Sequence, residues 1–181
     1  GCSLEESCPP AKLRELQATN PNFFTVTYIN CSAEVKALSD VICTSGNAKK
    51  IVEQCPPDKD LLFVPDENLG QWVMEQTGRP MTLWQGNCYV HVEWTHAAIT
   101  KIRDEYPDAP LVAHPECTKA VQILADEVCS TEKMVHYCRA VESDSVIIST
   151  ETDMLQQLQI ECPDKNIRPA ATDKCACTKR H

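Results

Sequence analysis

Cys31-Ser-Ala-Glu-Val-Lys-Ala-Leu-Ser-Asp-Val-Ile-Cys-Thr-Ser45 and Cys117-Thr-Lys-Ala-Val-Gln-Ile-Leu-Ala-Asp-Glu-Val-Cys-Ser-Thr131 lie 86 residues apart and read as two copies of one segment. Cys31/Cys117, Val35/Val121, Leu38/Leu124, Asp40/Asp126 and Cys43/Cys129 are identical. Ser32/Thr118, Thr44/Ser130 and Ser45/Thr131 keep a hydroxyl. Unrelated segments of this length share about one identity, so the chain contains a duplicated unit. Pro21/Pro107, Val26/Val112 and Leu69/Leu155 extend the match. The same step takes Cys2 to Cys88, and a step of 87 reaches Cys175, so a cysteine follows each repeat. By this spacing Cys2 follows a further repeat. Together with Gly1 in the first position, that predicts three repeats in the whole protein, the first absent from this chain.

Each repeat alternates strand-like and helix-like runs. The first predicts strands at Phe24–Ile29, Val41–Ile42, Leu61–Val64 and Met81–Trp84. It predicts helices from a Ser32 cap to Leu38, at Asn47–Gln54, and at Glu67–Gln76 with a stop at Gly78. The second predicts helices at Ala97–Tyr106, Thr118–Leu124, Thr131–Ala140 and Thr152–Ile160, with strands at Leu111–Ala113 and Val146–Ser149. A helix at Pro9–Gln17 opens the chain, with Pro near its first position. Strands alternating with helices predict an α/β fold of two repeated αβα three-layer units with short parallel sheets. The boundaries expected are a junction at 1–8, repeats at 9–92 and 93–175, and a tail at 176–181.

The 181 residues suffice for a buried core, and the 43 % hydrophobic content is that of a globular protein. No run is long enough to span a membrane. A net charge of −9 argues against nucleic acid or an anionic membrane as the main partner. Twelve cysteines invite a disulfide reading, and Asn30-Cys31-Ser32 fits a glycosylation acceptor. They sit inside apolar runs such as Val41-Ile42-Cys43, however, where a reduced Cys behaves as a small hydrophobe.

Equivalent positions in symmetric repeats can converge near the axis. Three thiolates, Cys2, Cys88 and Cys175, then suit a [4Fe–4S] cluster with one open iron, a Lewis acid for dehydration. Structural zinc favours four ligands at paired short spacings and fits less well. The alternative is three buried cysteines repeated by ancestry. Cys175-Ala-Cys177 and His91/Glu93/His96 are weaker metal patterns, and the latter is not a His-Glu-x-x-His motif.

Functional residues in parallel sheets gather at strand carboxyl ends. There Tyr28-Ile-Asn30 in one repeat answers His114-Pro-Glu116 in the other. His and Glu suit acid/base chemistry, and Tyr and Asn suit substrate orientation. A hydrogen-bonded turn and a helix start explain the same residues equally well. Ser45, Ser130 and Thr131 precede helices, where hydroxyls and backbone N–H groups bind anions or simply cap the helix.

Longer motifs carry a family resemblance. Gly1-Cys2-Ser3-Leu4, Tyr28-Ile-Asn30-Cys-Ser-Ala-Glu-Val-Lys-Ala37, Cys43-Thr-Ser-Gly-Asn-Ala48, and Pro65-Asp66 with Leu69-Gly70 resemble quinolinate synthases in order and spacing. So do Trp84-Gln-Gly-Asn-Cys88 with Val90-His91, and His114-Pro-Glu-Cys117, which brings the resemblance to nearly the whole chain. It implies three αβα domains around a pseudo-threefold axis, and one [4Fe–4S] cluster per full-length chain on Cys2, Cys88 and Cys175. It implies a cytoplasmic enzyme of NAD biosynthesis that condenses iminoaspartate with dihydroxyacetone phosphate to quinolinate, phosphate and water. An aspartate oxidase supplying iminoaspartate is the implied protein partner. Tyr28 and Asn30 would contact substrate, Glu116 would be the acid/base group with His114 beside it, and Ser45, Ser130 and Thr131 would bind phosphate or carboxylate oxygens.

Three departures accompany the resemblance. The family's first domain, with its own His and Tyr contacts, and its C-terminal helix are not in this chain. Cys129 stands where Gly often precedes Ser-Thr. The isolated chain is therefore expected not to turn over. A non-catalytic iron–sulfur or redox-sensing module, needing the cluster but not Glu116 or Tyr28, is the alternative reading.

Overall fold

A computed structural model describes residues 3–170, and the chain divides into two compact units, Gly1–Cys88 and Tyr89–His181. The first unit runs α1 Ser3–Glu6, α2 Pro10–Thr19, β1 Phe23–Tyr28, α3 Ala33–Ala37, β2 Val41–Cys43, α4 Ala48–Gln54, β3 Asp60–Val64, α5 Glu67–Thr77 and β4 Met81–Leu83. The second runs α6 Tyr89–Val92, α7 His96–Glu105, β5 Leu111–Ala113, α8 Lys119–Gln122, β6 Glu127–Val128, α9 Thr131–Ala140, β7 Ser145–Ser149, α10 Thr152–Glu161 and β8 Asn166–Pro169. Each unit has a four-stranded, all-parallel sheet, in the orders β2-β1-β3-β4 and β6-β5-β7-β8. The two orders are the same.

Side-chain alternation along the central strands makes the three layers. Leu61 and Phe63 of β3 pack with Val52 of α4 and Val73 of α5, whereas Leu62 and Val64 pack with Leu13 of α2 and Val35 of α3. In the second unit Ile147 of β7 packs with Ile99 of α7 and Val121 of α8. Val146 and Ile148 meet Met134 of α9 and Leu158 of α10. A strand buried on both faces reads as a continuous apolar run, which is why Leu61–Val64 and Val146–Ile148 were legible.

The identical residues of the repeat do identical work. Val35 and Val121 are fully buried, and Cys43 and Cys129 are nearly so. Asp40 closes the start of its sheet edge by accepting from Thr25 N (2.7 Å) and donating to Thr25 O (3.0 Å). Asp126 repeats the pair with Leu111 at 2.8 Å each way. A second equivalence joins unlike residues. Arg79 donates to the carbonyls of Val52, Cys55 and Pro56 at the end of α4, and Lys165 donates to those of Val141 and Ser143 just past α9. Each cation thus satisfies carbonyls at a helix C-terminus, where the helix dipole also favours positive charge.

The register corrects one extension of the repeat. Val26 pairs with Phe63 and Val112 with Ile148, so β3 and β7 are related by 85 residues rather than 86. α5 and α10 also begin 85 apart, which sets Leu69 against Met154 instead of Leu155. The edge strands β6 and β8 were not expected from sequence: β6 is two residues long, and β8 ends in Pro169. α8 ends at Gln122, short of Leu124, and Thr118 makes no side-chain cap. By contrast Ser32 caps α3 through Val35 N (3.2 Å), and Gly78 ends α5 at a left-handed φ of 68°.

The nine cysteines among the described residues are buried thiols outside any disulfide. Burial pushes Cys8, Cys43 and Cys129 up to about 12 and Cys138 to about 11. Protonated thiols of this kind are inert fillers of the core.

Candidate functional site

The carboxyl ends of β1 and β5 carry the paired residues expected there. In the first unit Asn30 Nδ2 donates to the Tyr28 hydroxyl at 3.0 Å, and Tyr28 is 5 % exposed. In the second unit the turn after β5 carries His114 and Glu116, 3 % and 2 % exposed. His114 Nδ1 is 3.5 Å from Glu116 Oε1 and accepts from the Glu116 backbone N–H at 3.3 Å. Gln122 pins this turn from α8, donating to the carbonyls of Pro115 (2.9 Å) and Cys117 (2.8 Å) on either side of Glu116. The His114 N–H bonds the Ser149 carbonyl at 3.1 Å, tying the turn to the end of β7.

His91 completes the cluster. It lies on α6 and is 4 % exposed. Its Nδ1 is 3.4 Å from Glu116 Oε2, and its ring stacks on His114 with centroids 4.9 Å apart. Its Nε2 meets Thr150 Oγ1 at 3.2 Å and stands 3.7 Å from Glu151 Oε2. Thr150 donates to Glu151 at 2.6 Å. One buried carboxylate thus lies between two imidazoles, an arrangement able to hold and pass a proton. Sequence reasoning placed His91 in a weak metal pattern with Glu93 and His96. The structure turns it toward Glu116 and Thr150, while His96 lies by Thr100. Nothing in residue spacing announces Thr150, Glu151 or Gln122, because their partners are distant in sequence.

Burial pushes the His114 imidazole down to about 4, with His91 adding to the effect and the Glu116 and Glu151 carboxylates opposing it. His114 is therefore neutral at physiological pH. Its ordinary value is 6.5, so the unfolded chain takes up a proton that the folded site refuses. Stability from this group is complete above about pH 6.5 and falls with pH down to about 4. Urea titrations at pH 7 and pH 5 should show a lower midpoint at pH 5, and His114→Gln should reduce the difference.

Ser130 occupies the N-cap position of α9 but makes no side-chain cap. Its hydroxyl is buried and has no hydrogen-bond partner among the described residues, and the same holds for Ser149. A cap therefore does not account for Ser130. Thr131 follows as the first residue of α9. Ser45 lies in the turn before α4, where Asn47 Oδ1 accepts from Thr44 N at 2.7 Å. Of the three cysteines read as metal ligands, Cys88 is described, a buried thiol at 6 % exposure. Cys2 and Cys175, like Cys177, lie outside the described residues.

The fold and site define a duplicated parallel α/β protein with a buried imidazole–carboxylate cluster at the strand carboxyl ends of its second unit. The family profile described as Quinolinate synthetase A protein matches residues 1–181, and the chain belongs to the quinolinate synthase family. It is 47 % identical over 180 residues to a quinolinate synthase of Gloeothece citriformis, covering 99 % of this chain and 56 % of the relative. It is 44 % identical over 180 residues to one from Synechocystis, covering 99 % and 57 %. The chain thus spans little more than half the length of these relatives.

Proposed function

We propose that this chain contributes two αβα units to a quinolinate synthase of NAD biosynthesis. The enzyme condenses iminoaspartate with dihydroxyacetone phosphate and dehydrates the adduct to quinolinate. The observation that carries the reading is the buried Glu116 carboxylate between His91 and His114. Condensation and aromatisation require protons to leave carbon and reach departing oxygens, and a buried carboxylate within 3.4 and 3.5 Å of two imidazole nitrogens is placed to serve both needs. Neutral His114 binds substrate as a hydrogen-bonding group, so it adds no fixed charge. Tyr28 and Asn30 orient substrate, and their mutual hydrogen bond holds them in place. Ser130, with its unspent buried hydroxyl, Thr131 and Ser45 bind phosphate or carboxylate oxygens. The setting is cytoplasmic, with an aspartate oxidase supplying the iminoaspartate. No helix among the described residues is long and apolar enough to cross a membrane.

Cys2, Cys88 and Cys175 would hold one [4Fe–4S] cluster, and Cys88 fits that role: it is a buried thiol outside any disulfide, on a loop hydrogen-bonded to the start of α5. When bound, the cluster supplies an open iron as a Lewis acid for hydroxyl or carboxylate oxygen. The 181 residues alone, at 56 % of a relative's length, are proposed not to form quinolinate.

Anaerobic reconstitution with iron and sulfide tests the cluster. The chain should develop the absorption of a [4Fe–4S] cluster, lose it with Cys88→Ala and keep it with Cys138→Ala, whose thiol sits in the hydrophobic core. Equal cluster content in both variants would remove Cys88 from the ligand set. A cluster without product formation in a chain extended to the relatives' length would favour the redox-sensing module.

A further inference from the structure

Asp66 is fully buried at the N-cap of α5. A buried carboxylate is costly unless its oxygens are filled, and each oxygen of Asp66 takes a backbone N–H. Oδ1 accepts from Leu69 N at 2.7 Å, the ordinary capping bond. Oδ2 accepts from Cys88 N at 3.2 Å, a bond that capping does not require. The return contact runs the other way: Glu67 N, in the first turn of α5, donates to Gly86 O at 2.8 Å. Trp84 N bonds Phe63 O (2.9 Å) and Trp84 Nε1 bonds Ser7 O (2.9 Å), so the segment before Cys88 is anchored at several points. The start of α5 and the Cys88 loop clamp each other.

We infer that Asp66 is a positioning residue for the cluster ligand Cys88, fixing the backbone from which the thiolate projects; this rests on the cluster reading above. A ligand held before metal arrives loses less entropy on binding and yields the metal more slowly. Asp rather than Ser stands at this N-cap because a second acceptor is needed for Cys88, beyond the one that caps the helix.

Asp66→Ser separates the two roles, since Ser keeps a good cap but cannot reach both N–H groups. Asp66→Asn is the isosteric check: its oxygen caps Leu69, and its amide faces the Cys88 N–H as a second donor. Both variants should lose no more global stability than the one hydrogen bond to Cys88 N accounts for, and should keep Cys138 buried. Both should raise Cys88 amide exchange in the apo chain, and cluster loss to a chelator, by about tenfold, the size expected for one charge-assisted hydrogen bond. Mere destabilisation would instead expose Cys138 to alkylation together with Cys88, and that result would overturn the proposal. Unchanged Cys88 exchange and unchanged chelation, with cluster present in all three chains, would also overturn it and leave the cluster reading intact. An unsubstituted chain that takes up no cluster would overturn both.

Discussion

Glu116→Gln, in a chain extended to the relatives' length, is expected to lower quinolinate formation by about 10²- to 10⁴-fold, the range for removing one positioned acid/base group. The substitution is nearly isosteric, so the chain should fold and the cluster spectrum should persist. What disappears is the ability to accept and return a proton. The carboxylate is 2 % exposed and has an imidazole nitrogen near each oxygen, at 3.4 Å from His91 and 3.5 Å from His114. An amide in its place still accepts at one position but presents a donor at the other. His114 is neutral in the folded site and offers no charged substitute. Product assays with cluster content measured in parallel check the expectation. Turnover within threefold of the parent would mean that Glu116 is a structural carboxylate and that the proton passes elsewhere.

Gly86→Ala should destabilise the first unit by about 3 kcal/mol, at the upper end for overpacking, because the obstacle is largely backbone. A Cβ at this position would lie 2.4 Å from the Pro65 carbonyl and 2.5 Å from Ser7 Oγ. The serine could rotate, but the Pro65 carbonyl cannot move without shifting the residue beside Asp66. Gly86 O also accepts from Glu67 N, so relief of the clash strains the N-terminus of α5. Urea unfolding of the apo chain reads the loss. Gly78→Ala provides the contrast: its Cβ would meet nothing within 4 Å, and only the positive φ opposes it. A midpoint for Gly86→Ala equal to that of the parent would show that the close approach is readily relaxed.

The two substitutions probe differently legible features. Glu116 was visible in the repeat, because His114-Pro-Glu116 stands where Tyr28-Ile-Asn30 stands in the other copy. Gly86 sat inside a family motif without a physical reason. The reason is the close approach to Pro65 and Ser7, residues far away in the chain.

Local chemistry wrote most of the fold. Apolar runs of four to six residues marked β1, β3 and β7, Ser32 marked the start of α3, and Gly78 marked the end of α5. These signals act over a few residues, and the 86-residue repeat then multiplied them into two units of one topology. The edge strands β6 and β8 escaped because pairing along one side only demands little apolar pattern, and Pro169 is tolerated at an edge. The slip from 86 to 85 escaped because identities in the helices outweigh one residue of loop.

The amino-acid sequence by itself determined the duplication, the parallel α/β class, the strand-end positions of Tyr28, Asn30, His114 and Glu116, and the reading of many cysteines as core filler. Only the tertiary structure decided that His91 joins Glu116 and that Ser130 leaves its helix uncapped. It alone showed that Arg79 and Lys165 hold equivalent helix ends and that Asp66 holds Cys88. The division has one physical cause. Secondary structure follows from propensities and periodicities between near neighbours, whereas a hydrogen bond between Cys88 and Asp66 or between His91 and Thr150 exists only once the sheet has placed distant strand ends and helix starts side by side.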